Sequence, residues 1–349
     1  MDREVSPSST FQIRQFQGRL QTIIGMKSSE SNWTQESNMD VHIEPYLLRA
    51  VNLDVAMTGL GKHWSKNVGD WTVSREVTHI DEFISHDWHT SRRSKFATLC
   101  VTYNWVVAML ASVLGGCLSA ALEISLTPHA RSQFRVEHRS YGVPWLVGCR
   151  LASSLTFLLF LVYWQRIRSL FLRPRTVFID KLCINQLDGE LKKQGILSLA
   201  GFLNHSHRLH IMWSRKYFSR LWCTYELASW FYLGKDTNNV TLSPVDLSKA
   251  VLVFCCGAGC FVLGSIPLSF ITNVVLYITA TSLLQFLMLA LTLTRVRPLM
   301  RHLRDLSAQV ASFTVRESRC FCCDEQHVHP LTGEALPCDR KLVYSTLRE

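Results

Sequence analysis

The chain has 349 residues, 48% of them hydrophobic, and 37 Lys and Arg against 27 Asp and Glu give a formal net charge of +10. That length would hold two ordinary domains, but the apolar residues are too clustered for two soluble ones. The basic surplus is not interleaved with stacking aromatics on a soluble face, so nucleic acid is not an expected partner.

In chain order, residues 1–40 are rich in Ser, Gln and Asn. Phe11, Ile13, Phe16, Leu20 and Ile23 give them a loose amphipathic pattern, read either as an interfacial helix or as an unstructured tail. The polar start, Met1-Asp-Arg-Glu, has no apolar core, so no cleaved signal peptide is expected. Val41–Leu60 has helix-compatible spacing broken at Pro45, and residues 61–75 read as loop. His79–Ser85 has the length and composition of a strand.

Three uncharged or nearly uncharged stretches follow. Phe96–Leu122 holds 27 residues without charge, Ser140–Gln165 carries only Arg150, and Ala250–Thr294 has no Lys, Arg, Asp or Glu in 45 positions. A membrane span needs roughly 20 apolar residues, so the last stretch fits two spans, with a turn near Pro267–Asn273, and the others one each. Four spans in two hairpins are expected, with the lipid bilayer as a partner. Eleven basic residues flank one side (Arg92, Arg93, Lys95, Arg166, Arg168, Arg173, Arg175, Arg295, Arg297, Arg301 and Arg304). Only Arg131, Arg135 and Arg139 flank the other, so both termini are expected in the cytoplasm. About half of the cysteines fall in the spans, where a thiol packs as a small apolar group. Cytosolic sequons at Asn32, Asn204 and Asn239 are not expected to be glycosylated.

Thr176–Ile179 and Leu209–Trp213 are short apolar runs of strand length. Each precedes a helical pattern: Ile196, Leu199, Ala200 and Leu203 in one, and Phe218, Leu221, Trp222, Tyr225, Ala228 and Tyr232 in the other. Asn239–Pro244 can add a fourth strand. A strand–helix–strand–helix order favours a parallel sheet. The expected fold class is α/β, a small parallel sheet interrupted and followed by helical hairpins. Its segments are residues 1–75 (N-terminal region), 76–95 (first strand), 96–165 (hairpin), 166–247 (remaining sheet), 248–294 (second hairpin) and 295–349 (basic helix and tail). In the last, Leu299, Leu303, Leu306 and Val310 make one face of a helix.

Three motifs sharpen this reading. Phe83-Ile-Ser-His86, Val177-Phe-Ile-Asp180 and Ser214-x4-Ser219-x2-Trp222-Cys223-x2-Glu226-Leu227 resemble, in order, motifs of the TIR domain. Phe178-Ile-Asp-Lys-Leu-Cys-Ile-Asn-Gln186 is similar to a signature of fungal heterokaryon-incompatibility domains, themselves TIR-like. The set also resembles that of multi-pass protist membrane proteins. The resemblance implies a flavodoxin-like sheet, self-association as a homo-oligomer, and signalling with or without hydrolysis of NAD. It places the catalytic glutamate of NAD-cleaving TIR enzymes on Glu226. The family's last strand and helix are missing, and a hairpin stands where its first helix would be.

The residues themselves suit that chemistry. Breaking a nicotinamide–ribose bond builds positive charge on the sugar, and an aligned carboxylate stabilises it. Ligands of open α/β sheets bind at the carboxyl ends of strands. Ser85, His86, Asp87, Trp88 and Ser214 fall at such ends, with Trp222 and Cys223 beside Glu226, and are candidate NAD contacts. Capping and ordinary loop polarity explain Ser85 and Asp87 as well. Asp180 with Asp188 is a weaker magnesium candidate. In the tail, Cys320, Cys322, Cys323, His327, His329 and Cys338 are soft ligands, four of which suffice for a structural zinc. Acylation of Cys320, Cys322 and Cys323 or free thiols are the alternatives.

Overall fold

A computed structural model describes residues 42–65, 69–126, 147–268, 273–312, 314–328, 333–335 and 337–346. The amphipathic pattern at the N-terminus, the loop 127–146, the turn at 269–272 and His329 lie outside them. The chain forms two units: residues 1–95, 174–244 and 301–349, and residues 96–173 and 245–300.

The first unit is built on a mixed, mostly parallel six-stranded sheet. Its strands are β1 (Arg49–Asn52), β2 (Arg75–Glu76), β3 (Ile80–His86), β4 (Thr176–Phe178), β5 (Ser206–Trp213) and β6 (Val240–Pro244), in the order β2-β1-β4-β3-β5-β6. β3 pairs in parallel with β4 on one side and β5 on the other, and β5 pairs in parallel with β6. β3 is buried at six of its seven positions, since both neighbours and both faces cover it. Phe178 stacks on Phe83 and packs against Phe202, tying β4 to β3 and to the helices beneath.

The N-terminal region corrects the sequence reading. Val41–Leu60 is not one helix: its centre is β1, antiparallel to β4 through Val51 opposite Val177 and Asn52 opposite Thr176. β2 then covers β1. The sheet therefore has six strands rather than four. Leu47, Leu48, Val51 and Leu53 fit both periodicities, and the unpaired edge of β4 decided the outcome.

Helices connect and follow these strands. α1 (Arg92–Leu126) and α2 (Val147–Ser169) stand between β3 and β4. α3 (Gly189–Leu197) and α4 (Leu199–Asn204) lead to β5. α5 (Leu221–Tyr232) follows β5, and α6 (Val245–Leu268) and α7 (Val274–Ser312) follow β6. α8 (Phe321–Asp324) and α9 (Asp339–Thr346) form the tail. Asp188 caps α3 by accepting from the amides of Glu190 and Leu191. The basic helix expected from Arg295 is not separate: it continues α7 past Pro298 and buries Leu306 and Val310.

In the second unit, α1 and α2 pack antiparallel through small and amide side chains. Ser112 meets Ser153 at 2.8 Å, and Asn104 receives a hydrogen bond from Gln165 at 2.8 Å while donating to the Leu161 carbonyl. A methyl on Gly115 would meet Thr156 at 2.8 Å, so this crossing needs glycine. Such contacts hold helices together where no hydrophobic drive separates partner from lipid. Among the described residues, three helices are long and apolar enough to cross a membrane: Arg92–Leu126, Val245–Gly264 and Val275–Val310. Only 0% to 17% of their apolar windows is buried, leaving large faces that water would not tolerate.

Candidate functional site

The carboxyl ends of β3, β4 and β5 converge, and most of the candidate residues converge with them. Ser85, on the last turn of pleat in β3, is buried. Its hydroxyl donates to Glu226 Oε2 on α5 and lies 2.5 Å from the Tyr217 hydroxyl. Tyr217 reaches on to the Cys223 carbonyl at 3.4 Å, and Cys223 Sγ to the His86 carbonyl at 3.6 Å. Glu226 is 8% exposed. Burial pushes its carboxyl up to about 8; the Ser85 hydrogen bond opposes the rise and the Asp180 charge adds to it. Near neutral pH Glu226 is therefore mostly protonated. Burial, then the neighbouring Glu226, likewise raises the Cys223 thiol, which makes it an unreactive thiol.

A second group sits at the ends of β3 and β4. His86 is buried edge-on against Trp64, ring centroids 5.1 Å apart. Its Nε2 has no hydrogen-bond partner and lies 3.7 Å from Asp180 Oδ1. Burial, then the charge of Lys95, brings the imidazole down to about 4, so it is neutral. Trp88 is 49% exposed, donates to Asp180 Oδ2 at 2.5 Å, and carries the Lys181 ammonium 5.0 Å from its ring centre. Asp87 accepts from Ser214 Oγ at 3.1 Å and from the His89 amide at 3.0 Å, which fixes the loop after β3 to the loop after β5.

Trp222 does not join this group. Its Nε1 donates to Asp339 Oδ2 at 3.1 Å, toward the tail. Asp188 caps α3, and Asp180 contacts Trp88 and His86. Tyr217, Trp64 and Lys95 are site neighbours that the sequence did not single out. Lys95, taken there as a flanking charge, is 1% exposed, with its ammonium 5.7 Å from the Trp64 ring centre. No spacing rule marks a tyrosine or a lysine that reaches a site through tertiary packing.

A cleft of about 230 Å³ opens beside the loop that follows β5, lined by His89, Lys216, Ser219, Arg220, Arg319 and Asp324 among others. Small-molecule pockets usually hold about 300–1,000 Å³, so this cleft is smaller than most.

The tail gathers its sulfurs. Cys322, Cys323, His327 and Cys338 bring one donor atom each within 4.8 Å of all the others. They have the donors to hold a metal such as zinc. Cys320 approaches Cys322 at 3.1 Å and belongs, with Asp339, to a second and smaller group.

No family model matches the chain, and no match is found among curated proteins or solved structures.

Proposed function

We propose that this is a membrane-anchored, TIR-like signalling protein whose sheet unit cleaves the nicotinamide–ribose bond of NAD with Glu226. The observation that carries the reading is the meeting of Glu226 with Ser85 at the carboxyl end of the central parallel strand. Numbered along the chain, the four parallel strands lie in the order 2-1-3-4, as in flavodoxin-like sheets, whose ligands bind at the point where the order reverses. β3 is that point. The nicotinamide ring of NAD is cationic, and an opposite charge nearby favours the ionised carboxylate. Substrate binding would thus convert Glu226 from acid to anion where the sugar becomes positive. Water then adds hydroxide to the sugar carbon, nicotinamide leaves with the bonding pair, and one proton is released. Three apolar helices together with α2, as a fourth span, would hold the sheet unit on the cytoplasmic side.

A second reading is a non-catalytic adaptor that works by self-association. The burial of Glu226 favours it, because an acid locked to Ser85 and shielded from water is also a good structural group. The experiment is NAD turnover by the full chain and by Glu226→Gln. Hydrolysis that falls by on the order of 10²- to 10³-fold supports the enzyme. No turnover by either form, with a sedimenting homo-oligomer, supports the adaptor.

A further inference from the structure

We propose that Cys322, Cys323, His327 and Cys338 bind a single zinc ion, and that this ion latches the tail onto the start of α5. The three edges that run from Cys323 have tetrahedral lengths, and all four donor atoms lie within 4.8 Å of one another. A zinc–sulfur bond of about 2.3 Å sets sulfur–sulfur edges of about 3.8 Å. Cys322 to Cys323 measures 4.0 Å, Cys323 to Cys338 3.9 Å, and Cys323 to His327 Nε2 3.8 Å. The second group fails the same comparison. Its Cys320–Cys322 separation is 3.1 Å, and the Asp339 carboxylate is already taken by Trp222. Three thiolates and an imidazole select zinc over magnesium or calcium, which prefer oxygen.

The backbone is shaped for this. Gln326 and His327 both have left-handed conformations, with φ of 54° and 61°. Neither is glycine, so the turn is costly, and it brings the His327 ring back over Cys323. The Asp339 amide donates to Cys322 Sγ at 3.2 Å, the outer contact that steadies a metal thiolate.

The same segment grips α5 at three places and the turn before it at a fourth. The Arg319 amide donates to the Ser219 carbonyl at 2.6 Å, and the Leu221 amide donates to the Arg319 carbonyl at 3.0 Å. Thr224 and Ser318 hydroxyls meet at 2.9 Å, and Trp222 bonds Asp339 at 3.1 Å. Asp339 thus touches a zinc ligand with its backbone and α5 with its carboxylate. The first turn of α5 has no side-chain cap of its own, and the Arg319 carbonyl receives one of its amides instead. A tail of two short helices has little core to hold it in place, and a metal supplies the missing cohesion. The latch does not depend on what Glu226 does.

The test uses the full chain in detergent. Elemental analysis should give about one zinc per chain. Stripping it with a strong chelator should speed hydrogen exchange at the amides of residues 221–226 at least about tenfold, and added zinc should restore protection. Cys322→Ser with His327→Ala should lose the zinc. Trp222→Phe should keep it yet exchange faster at the same amides. A chain that purifies without zinc and takes up none from solution overturns the proposal. So does unchanged exchange at 221–226 after stripping, a measurement on the unaltered chain that stands even where the double variant fails to fold.

Discussion

Ser85 and Glu226, 141 residues apart in the chain, share a buried hydrogen bond that joins the central strand to α5. Because burial raises the Glu226 carboxyl from 4.5 to about 8, folding favours its protonated form. The stabilisation is fully present below the unfolded value of about 4.5 and is lost as pH rises through about 8. Thermal unfolding followed from pH 5 to 9 should show the midpoint falling over that range. Glu226→Gln should flatten the curve; an unchanged slope would assign it to another group.

Catalysis should run the opposite way. The ionised carboxylate is the form that stabilises a positive sugar, so NAD hydrolysis should rise with pH as Glu226 loses its proton. A kcat/KM profile that falls between pH 6 and 8.5 would contradict the assigned role.

Ser85→Ala removes the one contact that lowers the Glu226 carboxyl. The rising limb of that profile should move to higher pH. An acceptor left without its donor should also cost about 1–3 kcal/mol in denaturant unfolding.

Glu82 tests the other end of the sheet. It is buried on β3, 3.1 Å from Arg175 Nη1, 3.9 Å from Arg208 and 4.0 Å from His210. Burial lowers the His210 pKa, so the cations are the two arginines, and Glu82→Ala leaves them without their common anion. Arg175 and Arg208 are partly exposed, so the expected loss is about 2–3 kcal/mol, below that for a fully buried pair. A loss under about 0.5 kcal/mol would show that solvent screens the cluster.

Orientation needs a new reporter. Cys183 and Cys223 are buried, and a thiol reagent would miss them from either side. Leu187 is 93% exposed in the loop before α3, so Leu187→Cys gives a reachable thiol on the sheet unit. A membrane-impermeant reagent should label it only after cells are permeabilised. Labelling of intact cells would put the sheet unit outside.

Much of this was legible. β4 and β5 read as apolar runs because Thr176–Phe178 and Leu209–Trp213 are buried throughout. α5 read as a helix from its spacing, but of the residues that marked it only Leu221 and Tyr225 are buried in it, while Trp222 and Ala228 are half-buried and Tyr232 is exposed. Arg49–Asn52 was not legible, because a four-residue strand owes its state to the edge it covers. Lys95 looked like a membrane-flanking charge because its burial arises from Trp64, some 30 residues earlier. In the tail, composition offered six ligands, and only the turn at Gln326 and His327 selects among them.

The insertion between β3 and β4 has a consequence for synthesis. Phe83 pairs with Phe178, so the central strand leaves the ribosome 95 residues before its first parallel neighbour. Its other neighbour, β5, comes later still. Doubling a loop adds only about 0.6 kcal/mol to its closure, so the finished sheet barely registers the insertion. The nascent chain does. Until α1 and α2 have been delivered, β3 is a strand with two open edges, the kind of segment that pairs with the wrong partner. Translation therefore has to place the helices before the sheet can close, and a pause within residues 127–175 would expose β3 for as long as it lasted.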